Sequence, residues 1–255
     1  MQVSFLDTVE SVPDGAGFAY FGPEHCLWLA AGVAFWVLLC RGYRRARADQ
    51  RRTMRLAVAW LIVADECFKH ATLLLGHHWW ANYLPLQLCS LSIFICLWNA
   101  LRPRELNRQL IYAVAVPAAL AALLFPGWAR VPAWSAQAIH SFTVHVLIVG
   151  YGVMQLSGHD IKPRPKWLPA CLGATGASAV AIYFLNKALG TNFMFLANPG
   201  DAWPLTAWEQ ALGAPGYILP LALVAAAMVS AMYLPEMILG AVHRLRERPR
   251  ASRSA

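Results

Sequence analysis

The sequence predicts an all-α, polytopic membrane protein: seven transmembrane helices in one bundle, N-terminus outside, C-terminus cytoplasmic. Three observations predict it. Hydrophobic residues make up 58% of the 255 residues and charged ones 13%, and mean hydropathy is +0.46, far from a soluble domain. Apolar stretches close to the roughly 20 residues that a spanning helix needs recur along nearly the whole chain. Basic residues gather in alternate connections between those stretches.

The predicted spans are 24–41, 55–75, 83–101, 109–126, 137–157, 168–188 and 216–238. Residues 1–23 form a short extracytoplasmic segment carrying Asp7, Glu10 and Asp14 but no basic residue. It lacks the positive region of a signal peptide, so the first span is expected to be retained. Residues 24–241 make one transmembrane domain and 242–255 a basic cytoplasmic tail. Seven arginines (Arg41, Arg44, Arg45, Arg47, Arg51, Arg52, Arg55) separate the first two spans. Arg102, Arg104 and Arg108 separate the third and fourth, and Lys162, Arg164 and Lys166 the fifth and sixth. Five more, from Arg244 to Arg253, fill the tail. Threading seven spans puts all of these on one side, which the positive-inside rule makes cytoplasmic. The net charge of +8 therefore reflects topology, and no nucleic-acid partner is implied. Trp79, Trp80, Trp98 and Trp167 stand near span ends, where indole rings favour the interface. Cys40, Cys67, Cys89, Cys96 and Cys171 lie within spans, which argues against a disulfide framework.

Polar residues inside spans carry the functional signal. The second span contains Asp65, Glu66, Lys69 and His70, and intramembrane ionisable groups normally face the bundle interior and pair. Glu66–Lys69 is an i,i+3 pair, and Asp65–Lys69 and Glu66–His70 are i,i+4 pairs. At 1.5 Å per residue, Lys69 and His70 lie about 8–10 Å below the outer end of their span, and Cys89 about 9 Å. His140 and His145 of the fifth span lie about 5 and 12 Å below theirs. The polar residues thus sort to the outer half, with the inner halves expected to be apolar. Five residues apart, the two histidines project roughly 140° from each other and do not point at one atom.

A thiolate is the strongest side-chain nucleophile but forms at neutral pH only beside a base or cation. Cys89, flanked by Gln87 and Ser90 at histidine depth, meets that need if His145 or His140 is adjacent, with Lys69 adding positive potential. The longest outer loop, 189–215, is apolar and aromatic, as suits a lid or an interfacial connector.

Three segments, LPLQLCS (84–90), SFTVHVLIV (141–149) and NKALGTNFMFLANP (186–199), occur in an order and spacing that resemble the YwaF-type family of seven-helix bacterial membrane proteins. Its eukaryotic relatives are the transmembrane protein 164 group. The resemblance implies a phospholipid acyltransferase with Cys89 as nucleophile and His145 as base. Supporting residues are Gln87, His70, Lys69, Glu66 and His140, and Asn186, Gly190, Thr191 and Asn192 form the third motif. Gln87 stands where relatives commonly have histidine, and His70 is the substitute at similar depth. The implied partners are membrane phospholipids and lysophospholipids, with no cofactor or metal, in a bacterial inner membrane. Two other readings stay open. One is a carrier using the Asp65–Glu66–Lys69 cluster as a proton relay. The other is an intramembrane zinc hydrolase using His70, His140, His145 and Asp65.

Overall fold

In the computed structural model the described residues are 3–200 and 203–251, with side chains through residue 239. They fold as helices joined by turns, with no strand among them. The long helices are α1 (Pro23–Arg45), α2 (Ala48–Leu75), α3 (Leu88–Leu101), α4 (Glu105–Leu124), α5 (Ala136–Ser157) and α6 (Leu168–Leu189). A short α7 (Leu205–Leu212) precedes the last helix, α8 (Ile218–Ala251). Each predicted span overlaps one long helix, although 83–101 begins five residues before α3 does. Five segments are long and apolar enough to cross a membrane: α1, α4, Pro165–Leu189 containing α6, α5, and Ile218–Leu239 within α8. The helix α2 is long but heavily charged, and α3 has only 14 residues. The predicted basic tail partly continues α8, and its side chains lie outside the described residues.

The centre of the bundle is α5, whose N-cap Ser135 accepts a hydrogen bond from Ala138 N at 3.2 Å. It packs on α1, α2, α3 and α4. Small residues permit the close approach, as in other membrane helix pairs. A Cβ on Gly152 would meet Val116 Cγ2 of α4 at 2.2 Å, and one on Gly150 would meet Phe35 Cε1 of α1 at 3.0 Å. The helix α4 carries a π-helical turn, Ile111–Ala115, just before Pro117. Proline lacks the N–H that continues an α-helical ladder, and a wider turn at that point is the usual accommodation. Lipid-exposed side chains such as Leu38, Leu61, Phe184 and Leu223 cover the outer faces of α1, α2, α6 and α8.

The arginine-rich end is closed by Asp160, which follows α5 and pairs with Arg55 at 3.0 Å, Arg51 at 3.4 Å and the Tyr43 hydroxyl. Nearby, buried Asn99 of α3 donates to the Tyr151 hydroxyl and to Gln155 Oε1 of α5, both at 3.0 Å. Gln109 of α4 donates to Lys162 O at 2.8 Å and accepts from the Tyr233 hydroxyl at 3.0 Å. This corrects the expectation of apolar inner halves. Buried amides occur there too, and the Asn99 and Gln109 side chains find partners on other elements, while Asn99 Oδ1 and Asn107 Nδ2 are left unpaired. At the opposite end, residues 3–22 lie across the helix termini, bonding through Ala136 N to Phe5 O, Phe18 N to Ala129 O, and Val9 N to Gln137 Oε1.

Candidate functional site

One polar cluster joins α2 to α5 in the half remote from the arginine-rich end. Glu66 of α2 holds Lys69 and, at 3.3 Å, His70 Nε2. Both intrahelical pairs that the spacing predicted around Glu66 are formed. The Asp65–Lys69 pair is replaced by contacts across to α5: Asp65 accepts from Thr143 Oγ1 at 2.8 Å and lies 3.0 Å from His140 Nδ1. His140 Nδ1 also meets the Asp65 carbonyl at 3.1 Å, so this nitrogen carries the proton. Its Nε2 lies 3.7 Å from Glu66 Oε2. The indole of Trp79 donates to His70 Nδ1 at 3.1 Å, leaving His70 Nε2 as the N–H that faces Glu66. The side chains of Asp65, Glu66, Lys69 and His140 are 8–13% exposed, low enough for the pairs to act as a staple between helices rather than as surface pairs. A cavity of about 110 Å³ opens beside them, lined by Lys69, Thr72, Tyr83, Gln137, His140 and Ser141 among others.

His145 faces elsewhere on α5, as its spacing from His140 requires. Its Nδ1 contacts the Ser141 carbonyl one turn earlier, and its ring stacks on Trp128 with centroids 5.1 Å apart. A carbonyl only accepts, so Nδ1 is protonated and Nε2 is the lone-pair nitrogen. Cys89 lies nearer the start of its helix than the predicted span 83–101 put it. The helix begins at Leu88, with Gln87 as N-cap, so the thiol lies in the first turn of α3. Pro85 explains this. It forces its predecessor out of helical geometry, and Leu84 is extended, with φ −54° and ψ 147°. The helices α3 and α5 touch, but among the described residues no hydrogen bond joins the Cys89 thiol to His145.

The second assembly is the loop after α6. Gly190 takes the left-handed conformation (φ 65°) that ends the helix, where glycine is favoured. Buried Asn186 then shapes the chain beyond it. Its amide donates to Phe193 O at 3.0 Å, and its oxygen accepts from Phe193 N at 2.8 Å and Thr191 Oγ1 at 3.0 Å. Asn192 Oδ1 accepts from Ala197 N and Asn198 N at 3.0 and 3.1 Å. Met194 and Phe195 have φ of 57° and 56°, a strained region for non-glycine residues that surrounding contacts must hold. Those contacts include the Tyr217 hydroxyl, donating to Phe195 O at 2.7 Å, and Gln87 Oε1, accepting from Met194 N at 2.7 Å. Asn82 Oδ1 accepts from Asn192 N at 3.0 Å. The third motif is therefore strapped onto the segment that leads into Cys89, and Gln87 is one of the buckles.

Three partners, Thr143, Asn82 and Trp128, are not singled out by the sequence. Thr143 is three residues from His140, so the helical period could have found it. Asn82 and Trp128 lie in connections and carried no signal. Among the described residues no group of three or more His, Cys, Asp and Glu side chains is arranged to hold a metal ion, so the zinc ligand set gains no support. The family model for TMEM164 proteins matches residues 20–233, most of the chain and all three motifs. No curated protein and no solved structure matches it.

Proposed function

This chain belongs to the TMEM164 family, and from that premise we propose that it is an integral membrane lipid acyltransferase with Cys89 as nucleophile and His145 as base. Its seven long helices would then all cross the bilayer, arginine-rich end to the cytoplasm, so that chemistry takes place in the outer half. One observation carries the reading: the loop of the third motif is hydrogen-bonded to Gln87, two residues before the thiol. Two segments separated by about a hundred residues are thus held together beside Cys89, which supports the reading.

The chemistry is a double displacement. His145 Nε2 takes the thiol proton, and the thiolate gains stability from its place in the first turn of α3, where helix N–H groups favour negative charge. The thiolate attacks the ester carbonyl of a phospholipid, and the ester C–O bond breaks. The lysophospholipid alkoxide leaves with the proton from His145, and a thioester remains on Cys89. The hydroxyl of an acceptor lysophospholipid then gives its proton to His145 and attacks the thioester, releasing the thiolate. Catalytic hydrogen bonds often tighten only when substrate is bound, so the separate resting positions of thiol and imidazole are compatible with this course.

The test is transfer of a labelled acyl chain from phospholipid to lysophospholipid by the purified protein in nanodiscs. Cys89→Ala and His145→Ala are each expected to lower the rate by at least about 10³-fold, as losses of nucleophile or base do elsewhere. The wild-type Cys89 peptide should carry a hydroxylamine-sensitive acyl group. Full activity in Cys89→Ala would sink the mechanism. The carrier reading gains one observation, the buried amides Asn99 and Gln155 in the arginine-rich half, which add polarity where the sequence suggested none. Proton uptake into proteoliposomes that survives Cys89 alkylation would favour it.

A further inference from the structure

An apolar concavity lies away from the charge cluster. A groove of about 560 Å³ runs between α6 and the start of α8, within the range of ligand pockets. Its floor is made of small residues, Gly176, Ala179 and Ala222, and its walls include Tyr183, Leu196 and Ile218. Small residues on membrane helices usually let a neighbouring backbone approach. Here they leave room instead: a Cβ on Gly176 would meet no atom within 4 Å. Exposed Lys187 follows Tyr183 of the groove wall by one helical turn and holds its ammonium 4.5 Å from that ring. The groove is also tied to the candidate site. Leu84 and Leu86, from the segment leading to Cys89, pack into the cluster that contains Ala179, Tyr183, Leu196 and Ile218.

We propose that this groove seats one acyl chain of a phospholipid, with the phosphate of its headgroup at Lys187. An apolar channel open to the bilayer fills with hydrocarbon, and dispersion contacts with its walls hold the chain there. A cation at one end matches an amphiphile whose single charge sits at one end. A second copy of the chain would gain nothing from Lys187, and its helix would have to enter a space floored by glycine and alanine without a partner for that charge. The proposal names where a substrate chain is held and rests on the acyl-transfer reading only for what happens to it next.

The experiment uses the full-length protein in nanodiscs containing a phosphatidylglycerol probe with a diazirine in one acyl chain, with photolabelled peptides mapped by mass spectrometry. Labels are expected to concentrate on residues 176–184 and 218–222 relative to the lipid-exposed α1 side chains Leu27, Val33 and Leu38. The double variant Gly176→Leu/Ala222→Leu, in which the leucine at 176 enters open space, should lower groove labelling about tenfold, because the added side chains occupy the volume in which an acyl chain would lie. Labelling of α1 should not change. Lys187→Glu should weaken labelling by the phosphate-bearing probe but not by a diacylglycerol probe. Equal labelling of groove and α1, or labelling indifferent to the filled groove, overturns the proposal. So does a stable dimer whose disulfide cross-links run through Gly176→Cys. Acyl transfer is scored separately. Groove labelling that persists in Cys89→Ala upholds the groove whatever becomes of the thioester, and transfer by a wild-type protein with an unlabelled groove removes the groove alone.

Discussion

Replacing His140 by alanine tests how much the α2–α5 staple contributes. The imidazole is 8% exposed and lies 3.0 Å from Asp65 Oδ2 and 3.7 Å from Glu66 Oε2. Removing it leaves Thr143 as the remaining α5 donor to Asp65, and leaves two neighbouring carboxylates with Lys69 as their nearest ammonium. Breaking a buried pair by deleting one partner costs about 3–5 kcal/mol, because the other charge stays buried without compensation. For a chain of this size that corresponds to a fall in Tm of roughly 6–20 °C. The assay is thermal unfolding in detergent micelles followed by size-exclusion loss and tryptophan fluorescence. The informative comparison is a double-mutant cycle. Asp65→Leu/His140→Ala removes the charge together with its partner and should recover most of the lost stability. If the double variant loses as much as the two single variants added together, the pair is not coupled and the staple argument is wrong.

Two other expectations concern packing and the loop. Gln87→Ala removes the acceptor for Met194 N and should raise amide exchange across residues 190–198, whereas Gln87→His, whose ring nitrogen also accepts, should retain protection. Equal exchange in both variants would mean that the buckle at 2.7 Å does not restrain the loop. Gly152→Ala places a methyl 2.2 Å from Val116 Cγ2 and should cost about 1–3 kcal/mol by overpacking, read as a lowered melting temperature. Gly176→Ala, with open space around its Cβ, should be nearly silent in the same assay.

The helical segments and the clustering of basic residues at one end were legible because bilayer thickness and insertion act on local composition. The Glu66–Lys69 and Glu66–His70 pairs were legible for the same reason: helical period alone sets them. What lay beyond the sequence was every choice between helices. Nothing local says that His140, rather than His145, meets Asp65, because that depends on how α5 is rotated against α2. The start of α3 is later than the apolar run through Tyr83 suggests, because Pro85 postpones it to Leu88. The inner amides Asn99, Gln109 and Gln155 were passed over as isolated residues, since each gains its meaning only from a partner at least 50 positions away. Gln87 was legible as a departure from relatives but not as an anchor, for Met194 lies 107 residues downstream.

The position of α5 also has a consequence for how the protein is made. Four long helices leave the ribosome before it, and each of them rests on it in the finished bundle. Asp65 and Glu66 are therefore synthesised some 75 residues ahead of His140 and Thr143, with only Lys69 and His70 of the cluster present to pair with them. The nascent chain carries an unfinished polar seam until its keystone is made. A chain stalled before residue 136 would lack every contact that α5 makes to that seam.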